Sequence, residues 1–92
     1  MIKSFNHKGL QAFFETGSKK GIPADQAKKI QLRLNTIDVA TLIEDINVAG
    51  WDLHELKGDR AVTWAIKVTG NYRITFQFIN SDAYQVDLED YH

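Results

Sequence analysis

The chain has 92 residues and a formal net charge of −1, with 43% hydrophobic residues, 25% charged residues and no cysteine. This length predicts one domain spanning residues 1–92, and the composition is too apolar for a disordered chain. The lack of cysteine excludes disulfides and thiolate zinc sites, and it fits a reducing compartment such as the cytoplasm. No apolar run approaches the roughly 20 residues that a membrane span needs, so we expect no membrane association.

The charges are arranged in blocks along the chain. Residues 1–34 hold seven Lys and Arg against two acids, whereas residues 35–55 hold five acids and no base. Residues 60–79 hold three bases and no acid, and residues 80–92 hold four acids. Clustered bases are the usual footprint of nucleic-acid binding. Two modest basic blocks therefore fit either a nucleic-acid surface or ordinary solvated faces.

The first half of the chain has helical periodicity. Residues 1–5 predict a short edge strand, residues 7–16 predict a helix that ends at Gly17, and Pro23 suits the first turn of a second helix. One apolar stripe follows in this second helix, formed by Ala27, Ile30, Leu34 and Ile37. Asp38 is expected to cap a further short helix that contains Leu42, Ile43 and Ile46.

From residue 51 the period changes to that of strands. Apolar residues alternate with polar ones over residues 62–68, 72–78 and 84–88, separated by turn signals at 70–71 and 80–82. A fourth strand is expected near residues 53–56. Helices followed by strands predict an α+β fold in which N-terminal helices pack on one face of a small antiparallel β-sheet.

The strongest chemical pattern is the sequence Asp90-Tyr91-His92. Each of these side chains can move or orient a proton, and His54 adds a further imidazole. Cleavage of RNA by its own 2′-OH needs such groups, together with cations that stabilise the phosphorane, and Arg73 is suited to that role. Taken from the residues alone, a solvated polar segment and a surface arginine remain open interpretations.

Several short segments follow one another in the second half of the chain: Gly58-Asp59-Arg60, the Trp64-x-Ile pattern, Asn71-Tyr72-Arg73-Ile74, Asp82-Ala83 and Asp90-Tyr91-His92. In this order and spacing, and together with the opening of the chain, they resemble HigB toxins within the RelE superfamily. The resemblance covers essentially the whole chain. It implies a RelE-like microbial RNase fold and a ribosome-dependent endoribonuclease toxin that cuts mRNA in the 30S A site. No metal or nucleotide cofactor is implied.

The resemblance also implies roles for particular residues. His54, Asp90, Tyr91 and His92 match the proton-transfer cluster of the family, with base and acid unassigned. Lys57, Asn71 and Arg73 match residues that hold the RNA, and Lys67 occupies a position that is often basic. The implied partner is a HigA-like helix-turn-helix antitoxin, with operator DNA bound only through the antitoxin complex and the free toxin a monomer.

Two alternatives belong to other functional classes. The first is a non-nucleolytic toxin similar to the ParE branch, which acts on DNA gyrase and generally lacks the acid–base cluster. The second is a degenerate toxin that serves only as a binding module for its antitoxin, an interpretation supported by the low net charge. RNA cleavage that depends on His92 and Arg73 would distinguish the endoribonuclease hypothesis from both alternatives.

Overall fold

The computed structural model describes residues 1–58 and 62–90. These residues form the helices α1 (Lys8–Thr16) and α2 (Ala27–Val39), and the strands β1 (His54–Glu55), β2 (Trp64–Lys67), β3 (Tyr72–Ile79) and β4 (Asp82–Asp90). Short 3-10 turns span Ala24–Gln26 and Ile43–Ile46. The strands follow the order β1-β2-β3-β4, and each neighbouring pair is antiparallel. The predicted α+β architecture is confirmed.

Helix α1 has defined signals at both ends. The Nδ1 atom of His7 accepts a hydrogen bond of 2.9 Å from the backbone N–H of Leu10, so His7 acts as the N-cap. Gly17 ends the helix in the left-handed conformation (φ 81°), which glycine adopts without the steric cost of a Cβ. Leu10 and Phe13 are buried in the core. The predicted helix over 7–16 is therefore confirmed, with His7 as its cap.

The apolar stripe of α2 is buried as predicted, but the role expected for Asp38 is wrong. Ala27, Ile30, Leu34 and Ile37 all lie in the core. Helix α2 continues through Asp38, whose carboxylate instead accepts a 2.8 Å hydrogen bond from the backbone N–H of Ile2. The cap of the following 3-10 turn comes from Asp45, which accepts hydrogen bonds from the backbone N–H groups of Thr41 and Leu42.

The N-terminal segment lies beside β4 without forming a regular strand. Ile2 and Phe5 make isolated parallel bridges to Ala83 and Val86. The expected edge strand is thus reduced to two points of pairing. None of the helices within residues 1–58 and 62–90 combines the length and apolarity required to cross a bilayer.

The sheet has two distinct faces. The apolar face carries Ile66, Ile74, Phe76 and Leu88 and packs against the helices. The opposite face, here called the polar face, carries Lys67, Arg73, Thr75 and Glu89. Strand β2 is shorter than predicted, because the strand begins at Trp64 and Val62 is exposed in the preceding turn.

A β-bulge in β4 changes the predicted alternation. Thr75 pairs with Asp87 whereas Gln77 pairs with Tyr84, so Phe76 faces two residues of β4. Gln85 adopts φ 53° at this point. The extra residue places Ala83 in the core and removes Tyr84 from the expected apolar alternation of 84, 86 and 88.

Candidate active site

A row of charged residues crosses the polar face near one end of the sheet. Lys67 pairs directly with Arg73 across β2 and β3, and Arg73 pairs directly with Glu89 across β3 and β4. Residues that face one another on neighbouring strands have their Cβ atoms only about 5 Å apart. Two of the predicted RNA-binding residues are therefore brought together, with a carboxylate beside them.

The guanidinium of Arg73 is oriented by Glu89. Its Nε and Nη2 atoms lie 3.1 and 3.0 Å from Oε1 of Glu89, and the Thr75 hydroxyl donates to Oε2 at 3.3 Å. The side chains of the ion pair are only 20% and 21% exposed, so water screens this ion pair less than a fully exposed one. A cation held in one orientation is suited to binding an anion of defined geometry, such as a phosphate.

Asn71 lies in the tight turn between β2 and β3. The hydroxyl of Thr69 accepts hydrogen bonds from the backbone N–H groups of Asn71 and Tyr72, both at 3.2 Å. Backbone hydrogen bonds from Val68 and Thr69 to the carbonyl of Tyr72 close the turn. Asn71 is exposed next to Arg73, as an amide that contacts RNA would require.

Lys67 is anchored through its backbone by a buried arginine. Arg33 donates from Nε to the carbonyl of Lys67 at 2.8 Å, and the Lys67 N–H donates to the carbonyl of Trp51 at 2.7 Å. The Arg33 guanidinium stacks 4.6 Å from the centre of a Trp51 ring. Arg33 belongs to the first basic block of the sequence, yet it is only 8% exposed and contributes little to the surface charge.

His54 lies on the short edge strand β1, in register with Ala65 on β2. Its Nδ1 lies 2.7 Å from the carbonyl oxygen of Asp52. Because a carbonyl only accepts, Nδ1 carries the hydrogen, and the neutral ring has its acceptor lone pair on Nε2. His54 and Arg73 are about 12 Å apart at Cα from standard strand spacings. Their side chains extend from separate strands toward the same face.

Asp90 lies at the same end of the sheet as Arg73 but on the other face. It pairs with Tyr72, and both residues line a cleft on the apolar side of the strands. Asp90 is on the edge strand opposite the one that carries His54. The described part of the predicted proton-transfer cluster is therefore divided between two strands and two faces.

Of the three remaining predicted site residues, Lys57 alone lies in the described part of the chain. Lys57 is exposed just after β1, whose following residue Leu56 pairs with Thr63 through the backbone. Tyr91 and His92 lie outside the described residues, as do Asp59 and Arg60 of the family motif. Among the residues that the structure does describe, no three His, Asp or Glu side chains gather as a metal-binding group.

Sequence reasoning missed Glu89 and Arg33. A signal for Glu89 was present, because the apolar residues of β3 and β4 match across the turn at 80–81 only if β4 contains one extra residue. That shift places Glu89 opposite Arg73. The role of Arg33 had no comparable signal, since its position beside the apolar stripe of α2 does not identify the carbonyl that it contacts.

Comparisons with known proteins bear on the family to which this chain belongs. The family model described as "RelE-like toxin of type II toxin-antitoxin system HigB" matches residues 3–92. A protein named endoribonuclease HigB from Proteus vulgaris is 54% identical over 92 residues, covering all of both chains. A YoeB/ParE toxin structure from Agrobacterium tumefaciens matches with a TM-score of 0.64 at 15% identity, covering 99% of this chain and 98% of that chain. The latter likeness supports the fold alone, but the first two show that this chain belongs to the HigB-like family of RelE-like toxins of type II toxin–antitoxin systems.

Proposed function

We propose that this protein is an endoribonuclease toxin that cleaves mRNA in the A site of the translating ribosome. The observation that carries the proposal is the 54% identity, over the full length of both chains, to a protein named as an endoribonuclease. The adjacent Lys67 and Arg73 on the polar face support it, because two cations at the end of a sheet suit an RNA backbone.

The proposed reaction is an internal transesterification. A base removes the proton of a ribose 2′-OH, and the 2′ oxygen attacks the adjacent phosphorus. The bond from phosphorus to the 5′ oxygen of the next nucleotide breaks, and an acid protonates that oxygen. The products are a 2′,3′-cyclic phosphate and a 5′-hydroxyl end. No oxidant, reductant or nucleotide cofactor enters this balance.

We assign charge stabilisation to Arg73, which Glu89 holds in one orientation, with Lys67 as its neighbour. Proton transfer is assigned to the set His54, Asp90, Tyr91 and His92. In the neutral tautomer described above, Nε2 of His54 is suited to accepting a proton. Lys57 and Asn71 are proposed to contact the RNA on either side of the scissile phosphate.

The proposed partners follow from the family. A helix-turn-helix antitoxin of the HigA type would neutralise the toxin, and operator DNA would be bound only through that complex. The ribosome would supply the message in an unpaired, extended form. The free toxin is proposed to be a cytoplasmic monomer, and sedimentation of a stable dimer would contradict that.

The test is a reconstituted translation reaction with a defined message, followed by mapping of the RNA ends. Parent protein, Arg73→Ala, His92→Ala and the control Lys3→Ala are compared. Lys3 is exposed and its backbone pairs with Ala83, at the end of the sheet remote from Arg73. We expect ribosome-dependent cuts at A-site codons with the parent and Lys3→Ala, and strong loss with the other two variants.

Other outcomes would redirect the assignment. Cuts that persist in His92→Ala would keep the nuclease but move proton transfer to the remaining residues, with His54 next. If folded parent protein made no cuts but inhibited gyrase supercoiling, the ParE-like alternative would replace the proposal. If it did neither, the protein would act as a binding module for its antitoxin.

A further inference from the structure

A cleft of about 430 Å³ opens beside the ends of β3 and β4, on the apolar side of the sheet. Its lining includes His7, Lys20, Gly21, Tyr72 and Asp90. Pockets of roughly 300–1,000 Å³ hold small organic ligands in proteins. The cleft therefore has room for one nucleotide, and it shares Asp90 with the proposed active site.

The loop that carries Lys20 forms one wall of the cleft, and a close contact between the backbones of Gly9 and Gly21 determines its position. A Cβ on Gly21 would lie 2.5 Å from the Cα of Gly9, and one on Gly9 would lie 2.4 Å from the Gly21 oxygen. Only glycine at both positions lets the loop before Pro23 pack directly on α1. Lys20 is thereby held next to the start of that helix.

The same wall presents a hydrogen-bond donor. Because Nδ1 of His7 accepts the N–H of Leu10 at 2.9 Å, the neutral ring carries its proton on Nε2. A donor and the exposed cation of Lys20 suit the oxygens of a phosphate. Tyr72 and Asp90 also line the cleft, and an aromatic ring and a carboxylate are side chains that suit a sugar or a base.

The course of the RNA connects this cleft to the proposed active site. Arg73 and Lys67 extend from the polar face, whereas Asp90 and Tyr72 lie on the cleft side of the same strand ends. An RNA strand that contacts both Arg73 and Asp90 has to pass over the end of the sheet. Its next nucleotide then arrives at the cleft.

We propose that this cleft binds the nucleotide adjacent to the cleaved one, with the phosphate of that nucleotide at Lys20 and His7. The inference rests on the proposed endoribonuclease function and adds a subsite to it. It predicts that Lys20 contributes to RNA binding, while Arg73 acts on the polar face at the same end of the sheet.

One test compares Lys20→Ala with the matched control Lys19→Ala, since Lys19 is exposed but does not line the cleft. Loss of one phosphate contact in Lys20→Ala is expected to raise KM about three- to tenfold and to leave kcat within about twofold. The slope of log KM against the logarithm of the salt concentration should fall by about one. His7→Ser retains an N-cap but has no donor at the position of Nε2, and it is expected to raise KM similarly. Equal KM values for Lys20→Ala and Lys19→Ala would overturn the subsite.

A binding measurement separates the subsite from the nuclease activity. The probe is a 2′-O-methylated trinucleotide, which lacks the attacking hydroxyl, titrated into labelled parent protein and followed by backbone amide shifts. Shifts at residues 20–22 and 72 that are lost in Lys20→Ala support the subsite, even if the parent fails to cleave any message. Absence of these shifts overturns the subsite, even if cleavage is observed.

Discussion

Arg73 and Glu89 face one another on β3 and β4, and two nitrogens of the guanidinium contact a single carboxylate oxygen, at 3.1 and 3.0 Å. Thr75 donates to the second oxygen of that carboxylate. The cation proposed to stabilise the phosphorane is therefore oriented before RNA binds. Such an arrangement removes part of the entropic cost of ordering a long side chain during the reaction.

Removal of Glu89 tests this orientation. Glu89→Ala is expected to lower kcat/KM for message cleavage about tenfold, because Arg73 loses its fixed geometry, and Glu89→Gln, which retains an acceptor, by less. In an Arg73→Ala background, Glu89→Ala should have little further effect. Faster cleavage by Glu89→Ala than by the parent would instead identify Glu89 as a competitor of the phosphate.

The buried arginine of α2 is expected to matter for stability. Arg33→Ala removes the stacking on Trp51 and the hydrogen bonds to the carbonyls of Lys67 and Lys29. Burial lowers the pKa of the Arg33 guanidinium, which nevertheless stays charged at neutral pH. We expect a loss of about 2–4 kcal/mol in the free energy of unfolding, measured by urea denaturation.

Arg33→Lys is the matched variant for that experiment. It keeps a positive charge but lacks the planar group that stacks on Trp51 while reaching two carbonyls. A loss intermediate between the parent and Arg33→Ala is expected. Equal stability of all three proteins would show that the Arg33 contacts contribute nothing to the fold.

The bulge at Gln85 gives a prediction about backbone conformation. Its φ of 53° is disfavoured for residues that carry a Cβ, and most strongly for β-branched ones. Gln85→Gly is expected to raise the unfolding free energy by up to about 1 kcal/mol, and Gln85→Val to lower it by about 1–2 kcal/mol. Urea midpoints in the opposite order would contradict the left-handed conformation at this residue.

Asp45 makes stability depend on pH in the acid range. The backbone N–H groups of Leu42 and Thr41 donate to its carboxylate and hold its pKa below the ordinary value of 3.8. A depressed pKa in the folded state stabilises the protein above the unfolded pKa, and the effect disappears as pH falls through the folded pKa. Asp45→Asn should thus be less stable than the parent at pH 7, and the difference should shrink as the pH falls below 3.8.

Thermal midpoints of both proteins at neutral and acid pH check this expectation. Glu44→Gln, which removes one negative charge from the same 3-10 turn, controls for the change in net charge. A difference between the parent and Asp45→Asn that stays constant with pH would show that the capping contacts do not depend on ionisation.

Most of the fold was predictable because it follows from local periodicity. The 3.6-residue spacing of Ala27, Ile30, Leu34 and Ile37 places one stripe of α2 in the core, and the two-residue alternation around Ile66 and Ile74 defines the apolar face of the sheet. Residue identity at the termini of α1 also determined its limits. The expectation for Asp38 was wrong because a long-range hydrogen bond to the N-terminal segment competed with local capping.

The sequence by itself determined the class of the protein, its elements and the residue types available for chemistry. The sequence carried a signal for the pairing of Glu89 with Arg73. Only the tertiary structure showed the contact between them, the support of Lys67 by Arg33, and the position of Asp90 on the face opposite Arg73. The physical reason is register. One extra residue in β4 shifts the register of every later residue by one, which moves its side chain to the other face of the sheet. Long-range pairing, rather than local propensity, therefore decides which charged groups meet.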